Sequence, residues 1–348
     1  MKPQPACIPC VLHQALQVAR AASDDEWSQR KVLNEVLRVL PETDWNQTPA
    51  DLLEDAFAEA RDTLRVHEPF AERRAHINKV FEHYATAFRG RLDAADDRLA
   101  LAATAAAAAN LVDELVFARF SRQEDPKAIF EACLEAGFAA GSVDQLREAL
   151  ADAKSVLYLL DNAGEVFFDA LLIEELERMD LKVRVVVRGG SLLHDATVED
   201  ALAAGLGKPV PTESEEAAAL APAAPNPEDS SDDPTAAADP NQANPEAEAD
   251  CGQPDQPEPE TLVAELIELK PGQLGVSRVA KSTSLGAALE ASDVVIAKGS
   301  AFYETFVAED QEVIYLLRAK CVPVAQSLGV TPGSLVLHRV PRQKTAEA

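Results

Sequence analysis

Val156-Leu157-Tyr158-Leu159-Leu160 is a short apolar run that ends abruptly in Asp161-Asn162-Ala163-Gly164-Glu165. A second run, Val183 to Val187, ends in Arg188-Gly189-Gly190 and soon reaches His194-Asp195. Each has the length and β-branched content of a buried strand and leads into a helical pattern, so the repeat reads βαβα. That predicts an α/β fold with a mostly parallel, Rossmann-like sheet flanked by helices. In open sheets of this kind, ligands bind in the crevice beyond the carboxyl ends of the strands. Asp161, Asn162 and Asp195 fall there, and such hard oxygen donors suit a divalent cation.

Outward from this unit the alternation continues. A helix over Val143–Ala153 precedes the strand Ser155–Leu160, followed by helix Glu165–Met179, strand Lys182–Arg188 and a helix near Val198–Ala204. Further on come strand Leu262–Leu269, helix Leu285–Glu290, strand Asp293–Ala297, and the apolar runs Ile314–Leu317 and Leu335–Val340. Upstream, from about Pro9 to Ala140, the apolar spacing is helical throughout. Its stripes include Val11-Leu12 with Ala15-Leu16, Val32-Leu33 with Val36-Leu37, and Leu52-Leu53 with Ala56-Phe57. Helices are also predicted over Asn78–Phe88, Leu99–Phe120 and Pro126–Phe138, the last with proline in its first turn. The expected organisation is an all-α N-terminal domain, 1–140, followed by an α/β metal-site domain, 141–348.

Residues from about 211 to 260 are rich in Pro, Ala, Asp, Glu, Asn and Ser and almost lack large apolar side chains. Such a tract buries too little surface to offset its ordering entropy, so it reads as a disordered acidic insertion within the α/β domain. Two uses suit it: a regulatory or solubilising tract, or an expanded surface loop with no role of its own.

The chain of 348 residues carries 59 Asp and Glu against 32 Lys and Arg. Fourteen of the acids fall in the insertion, and the remainder still outnumber the bases. That balance argues against nucleic acid and anionic membrane as partners. No uncharged apolar stretch is long enough to span a bilayer, and Met1 to Pro5 is not followed by a signal-peptide core. A cytoplasmic enzyme is expected. Of five cysteines, Cys7 and Cys10 form a Cys-x-x-Cys pair, which fits either a packed turn or a thiol or metal site.

A third strand end carries Lys298-Gly299-Ser300-Ala301-Phe302-Tyr303-Glu304 after Val294-Val295-Ile296-Ala297. A lysine there can neutralise a phosphate oxygen as a point charge, or simply be an exposed loop residue. Asp161 and Asn162 equally suit a helix N-cap, with Glu165 favouring the helix dipole. Neither a G-x-x-x-x-G-K-[ST] loop nor a strand-following G-x-G-x-x-G is present, which weakens nucleotide readings.

These motifs, in this order, resemble the damage-control phosphatase family, once a domain-of-unknown-function family. The likeness lies in Asp161-Asn162-Ala163-Gly164-Glu165, in Gly189-Gly190 leading to Asp195-Ala196-Thr197 and Asp200, and in Lys298-Gly299 leading to Tyr303-Glu304. Cys7-Ile8-Pro9-Cys10 is similar to its microbial subgroup. Glu68-Pro69-Phe70 with Arg74 and Asn78 is similar to the family's Asp-Pro-Tyr, Lys and Asn pattern, and Asn110-Leu111-Val112-Asp113 to its Gly-Asn-x-x-Asp helix. The resemblance implies a metal-dependent phosphomonoesterase acting on a small phosphorylated metabolite such as a sugar phosphate. It implies that Asp161, Asn162 and Asp195 hold Mg²⁺, Mn²⁺, Co²⁺ or Ni²⁺, and that Lys298 binds the phosphate. Asp161, Asn162 and Lys298 become the candidate catalytic groups, with Glu165, Asn78, Asn110 and Asp113 as candidate substrate contacts. The chain departs from the family pattern at His194, where asparagine is usual, and at Ser300-Ala301-Phe302, where Gln, Gly and Asn are usual. His194 suits an added ligand or a hydrogen-bond partner. A non-catalytic metal- or phospholigand-binding protein of the same fold is the first alternative, and a carboxyl methyltransferase the second.

Overall fold

The structure, a computed structural model, describes residues 1–64, 68–111, 126–190, 193–209, 262–276, 283–306 and 311–342. Helices α1 (Cys7–Ala22), α2 (Glu26–Val39), α3 (Pro49–Leu64), α4 (Ala71–Asp93), α5 (Arg98–Ala108) and α6 (Pro126–Ala136) come first. Strand β1 (Phe138–Ala140) and helix α7 (Val143–Leu150) follow. Next in order are β2 (Ser155–Leu159), α8 (Val166–Arg178), β3 (Lys182–Val187), α9 (Val198–Ala203) and β4 (Leu206–Pro209). After the acidic tract come β5 (Leu262–Glu268), α10 (Ser284–Glu290), β6 (Val294–Lys298) and α11 (Gly299–Thr305). The chain closes with β7 (Glu312–Arg318), α12 (Val322–Leu328) and β8 (Leu335–Val340).

The strands form one sheet in the order β1-β8-β7-β6-β2-β3-β5-β4. Every neighbouring pair runs parallel except β7 with β8. The expected mostly parallel α/β sheet with a helical N-terminal region is therefore present. Two edge strands escaped the sequence reading. β1 is three residues long, and β4 contains Gly207 and Pro209, so neither shows an apolar run.

The central strands are apolar along their length because both faces are covered. Val156, Tyr158 and Leu160 join one core with α4, α5 and α8, while Leu157 and Leu159 join another with α10, α11 and α12. A third cluster holds α1, α2 and α3 together through Val11, Val32, Val36 and Phe57, and reaches Leu193 and Leu274 in loops beside the strand ends. The helix expected over Leu99–Phe120 ends at Ala108 and passes into a turn through Leu111, beyond which residues 112–125 lie outside the described residues. Residues Met1–Pro209 and Thr261–Ala348 form one compact unit, and the expected acidic insertion lies outside the described residues. No helix among the described residues is long and apolar enough to cross a membrane.

Candidate active site

Strand order puts the parallel strands β6, β2 and β3 side by side, so Lys298, Asp161 and Arg188 arrive together at their carboxyl ends. Leu160 extends the ladder by donating its N–H to Val186 O at 3.0 Å, and the chain then turns away. Asn162 and Asp195 face each other across an isolated antiparallel bridge. Ala163 N donates to His194 O at 2.7 Å, and Ala196 N donates to Asp161 O at 3.0 Å, locking the two turns together. The structure thus brings Asp161, Asn162 and Asp195 into one buried cluster. Asp161 and Asn162 do not cap the following helix: its N-cap is Glu165, and no side chain accepts there.

Glu165 is the hub. Its Oε1 accepts from Asn162 N at 3.1 Å, Asn162 Nδ2 at 2.6 Å and Asn110 Nδ2 at 2.8 Å. Both amides also reach Asp161 Oδ2, at 2.8 Å from Asn162 and 3.0 Å from Asn110. Asn110 follows α5 directly, and its Oδ1 accepts from Arg318 N at 3.4 Å, so it ties the helical side to the sheet.

Lys298 is fully buried, which sets aside the exposed-lysine alternative. Its Nζ donates to Glu165 Oε2 at 2.8 Å and Asp169 Oδ1 at 2.7 Å. Glu165 and Asp169 lie four apart at the start of α8, on one face, which is why one ammonium reaches both. Burial alone would lower the Lys298 value, but the Asp169 and Glu165 carboxylates outweigh it and hold the ammonium charged well above the ordinary lysine range. Asp169 also accepts from Tyr158 OH at 2.7 Å. Burial pushes its carboxyl up to about 7, against the pull of Lys298.

Asn78, on α4, holds the turn rather than the carboxylates of the cluster. Its Oδ1 accepts from Gly164 N at 2.7 Å and its Nδ2 donates to Asp200 Oδ1 at 2.6 Å, so it pins the Asp161 turn to the start of α9. Arg74 supports the same contact, with Nε 3.5 Å from Asp200 Oδ2. Asp113 lies outside the described residues. His194 is buried and is used here through its backbone carbonyl. Phe302 belongs to the second core cluster, where its ring faces the Arg188 guanidinium at 4.2 Å.

Sequence reasoning passed over Arg188, Asp169 and Tyr158. A signal existed for two of them. Asp169 is a lone acid within Val166-Phe167-Phe168-Asp169-Ala170-Leu171-Leu172-Ile173, and Arg188 directly follows Val185-Val186-Val187. A charge in such a setting must find a partner when buried. Among the described residues no three His, Cys, Asp or Glu side chains group as a metal site, Cys7 and Cys10 included. The oxygen set at the strand ends is two carboxylates and an amide. A groove of about 250 Å³ lined by Ala22, Ser23, Trp27, Lys31 and Leu64 shares no residue with it.

The sequence matches the profile of the damage-control phosphatase ARMT1-like domain over residues 4–336. The chain belongs to this family. A damage-control phosphatase of Archaeoglobus fulgidus is 26% identical over 339 residues, covering 97% of this chain and 98% of that one. Damage-control phosphatase PH1575 of Pyrococcus horikoshii is 25% identical over 342 residues, with 97% and 98% covered. The crystal structure of a Pyrococcus horikoshii protein described as a DUF89 family protein superposes with a TM-score of 0.72 at 24% identity, covering 99% of this chain and 100% of that one. That likeness establishes the fold. Family membership makes phosphatase chemistry on phosphorylated metabolites the function of the chain.

Proposed function

We propose that this damage-control phosphatase family member is a metal-dependent phosphomonoesterase of a small phosphorylated metabolite, a sugar phosphate being the class in view. The observation that carries the reading is the Asn162–Asp195 bridge, which sets Asp195 directly across from the Asp161-Asn162 turn. The donor set fits a hard ion. Mg²⁺-type sites use one or two carboxylates and leave the remaining positions to water and substrate phosphate. In this reading Asp161, Asn162 and Asp195 hold Mg²⁺, Mn²⁺, Co²⁺ or Ni²⁺. Both donors of the Asn162 amide are engaged by Asp161 and Glu165, which leaves its Oδ1 for an ion. Such an ion, when bound, neutralises charge developing on the phosphoryl oxygens.

The protein's own groups then have separate tasks. Asn110 and Asn162 orient Asp161 by donating to Oδ2, while Oδ1 lies 3.3 Å from Arg188 Nη2. Glu165 holds both amides and anchors Lys298. Of the three donors on Lys298, two are committed to Glu165 and Asp169, and the third is its route to a phosphate oxygen. Asn78 keeps the turn in place, and Asp113 is retained as a candidate substrate contact. Burial of the cluster lowers the local dielectric and strengthens each of these charge interactions.

The test is hydrolysis of an aryl phosphate with Mn²⁺ or Co²⁺ added, followed by a panel of sugar phosphates. Activity that needs the ion and disappears in Asp161→Ala is the expected result. Ion-independent turnover, or equal turnover in Asp161→Ala, would overturn it.

A further inference from the structure

Arg188 has no task in the reading above, yet it stands between the two carboxylates that reading assigns to the ion. Its side chain is 1% exposed. Nη2 lies 3.3 Å from Asp161 Oδ1, and Nε lies 4.0 Å from Asp195 Oδ1 without a hydrogen-bond partner. Nη1 donates to the Leu274 carbonyl and lies 3.4 Å from Gln273 O. The guanidinium carbon sits 4.2 Å from the centre of the Phe302 ring. One planar cation is therefore fixed from behind by a ring and by backbone carbonyls, and its two remaining edges face Asp161 and Asp195.

Two buried carboxylates gathered around one guanidinium repel each other, and burial makes that repulsion stronger. The bridging guanidinium relieves it. We propose that Arg188 is a resident counter-cation, a positioning residue that holds Asp161 and Asp195 together in the metal-free protein and yields Asp161 Oδ1 to the ion. The proposal rests on the assignment of Asp161 and Asp195 as metal ligands. Phe302 gains a role here: the aromatic ring standing where the family pattern has an amide is the platform for the guanidinium. Because the ring and carbonyls keep Arg188 in place, arginine and ion are like charges at close quarters and oppose each other.

Opposite signs follow for two measurements on the full chain. Arg188→Met is expected to lower the melting temperature of the metal-free protein. It is also expected to tighten Mn²⁺ binding, read by calorimetry, by roughly 10-fold or more. A residue that merely shaped the site would lose on both counts. Arg188→Lys keeps the charge without the planar fork, so its metal-free melting point falls while its Mn²⁺ affinity stays within about 3-fold of the parent. Should Arg188→Met fold only when Mn²⁺ is supplied, that supports the proposal. Should it fold in neither buffer, Arg188→Gln carries the same two expected signs, since it removes the charge and keeps a donor. Parent protein that binds Mn²⁺ together with unchanged or weaker binding in the charge-removing variant overturns the inference alone. Parent protein that binds no Mn²⁺ overturns the metal assignment as well.

Discussion

Gly299 lies against the Asp161 carboxylate so closely that a β-carbon on it would stand 1.9 Å from Oδ2. Its φ of +78° is also in the left-handed region that side chains disfavour. The first residue after β6 thus sets how far the Asp161 side chain can swing. Gly299→Ala is expected to cost about 1–3 kcal/mol in denaturant unfolding. It should also weaken Mn²⁺ binding, because Asp161 must move. Mn²⁺ binding equal to that of the parent would show that Asp161 does not serve as a ligand.

Lys298 neutralises two buried carboxylates at once. Above pH 7, where Asp169 is ionised in the folded protein, Lys298→Met leaves Glu165 and Asp169 without their cation, and a loss of about 3–5 kcal/mol is expected. Adding Asp169→Asn to Lys298→Met should recover part of that loss, and the double-mutant cycle measures the coupling. Strict additivity of the two changes would contradict the ion pair described here.

The raised value of Asp169 has a definite pH signature. Its carboxyl titrates near 7 in the folded protein against 3.8 in an unperturbed aspartate. Between those values the native state binds a proton that the unfolded state has released, so this group's stabilisation is complete below about 4 and is lost as pH rises toward 7. Asp169→Asn cannot titrate. The stability of the parent relative to Asp169→Asn should therefore shrink from pH 4 to pH 7, at up to about 1.4 kcal/mol per pH unit. Chemical denaturation across that range checks it, and a gap that widens with pH would refute it.

Asp195→Asn separates fold from ion binding. The bridge opposite Asn162 is made by backbone, so the change leaves the two turns joined. Removing one carboxylate from a two-carboxylate set lowers the charge that attracts a divalent ion. Mn²⁺ affinity is expected to fall on the order of 10-fold or more, with a melting temperature close to that of the parent. A collapse in stability with unchanged Mn²⁺ affinity would assign Asp195 a structural task instead.

Much of the candidate site was legible along the chain because its residues sit at punctuation marks. Asp161-Asn162, Asp195 and Lys298 each follow an apolar run and adjoin or precede a helix, which places them at strand ends without any knowledge of strand order. Phe302 illustrates the limit. In sequence it sits beside Lys298 and reads as a bulky intruder near the phosphate, whereas its ring is in the core beneath Arg188. Lys298 itself reads as readily as an exposed loop residue, and it is buried between two acids.

Local sequence by itself determined the α/β alternation, the helical N-terminal region, and which oxygen-bearing turns cap the strands. Those properties depend on burial period and turn chemistry within a few residues. Tertiary structure alone decided that β2 lies between β6 and β3, and so which charges share a buried space. Lys298 at the end of β6 meets Asp169 on α8, 129 residues earlier, and Arg188 after β3 meets Asp161 after β2. The physical reason is that strand order is set by long-range closure and by competition among cores. Sequence periodicity does not encode which cation will find which carboxylate once water is excluded.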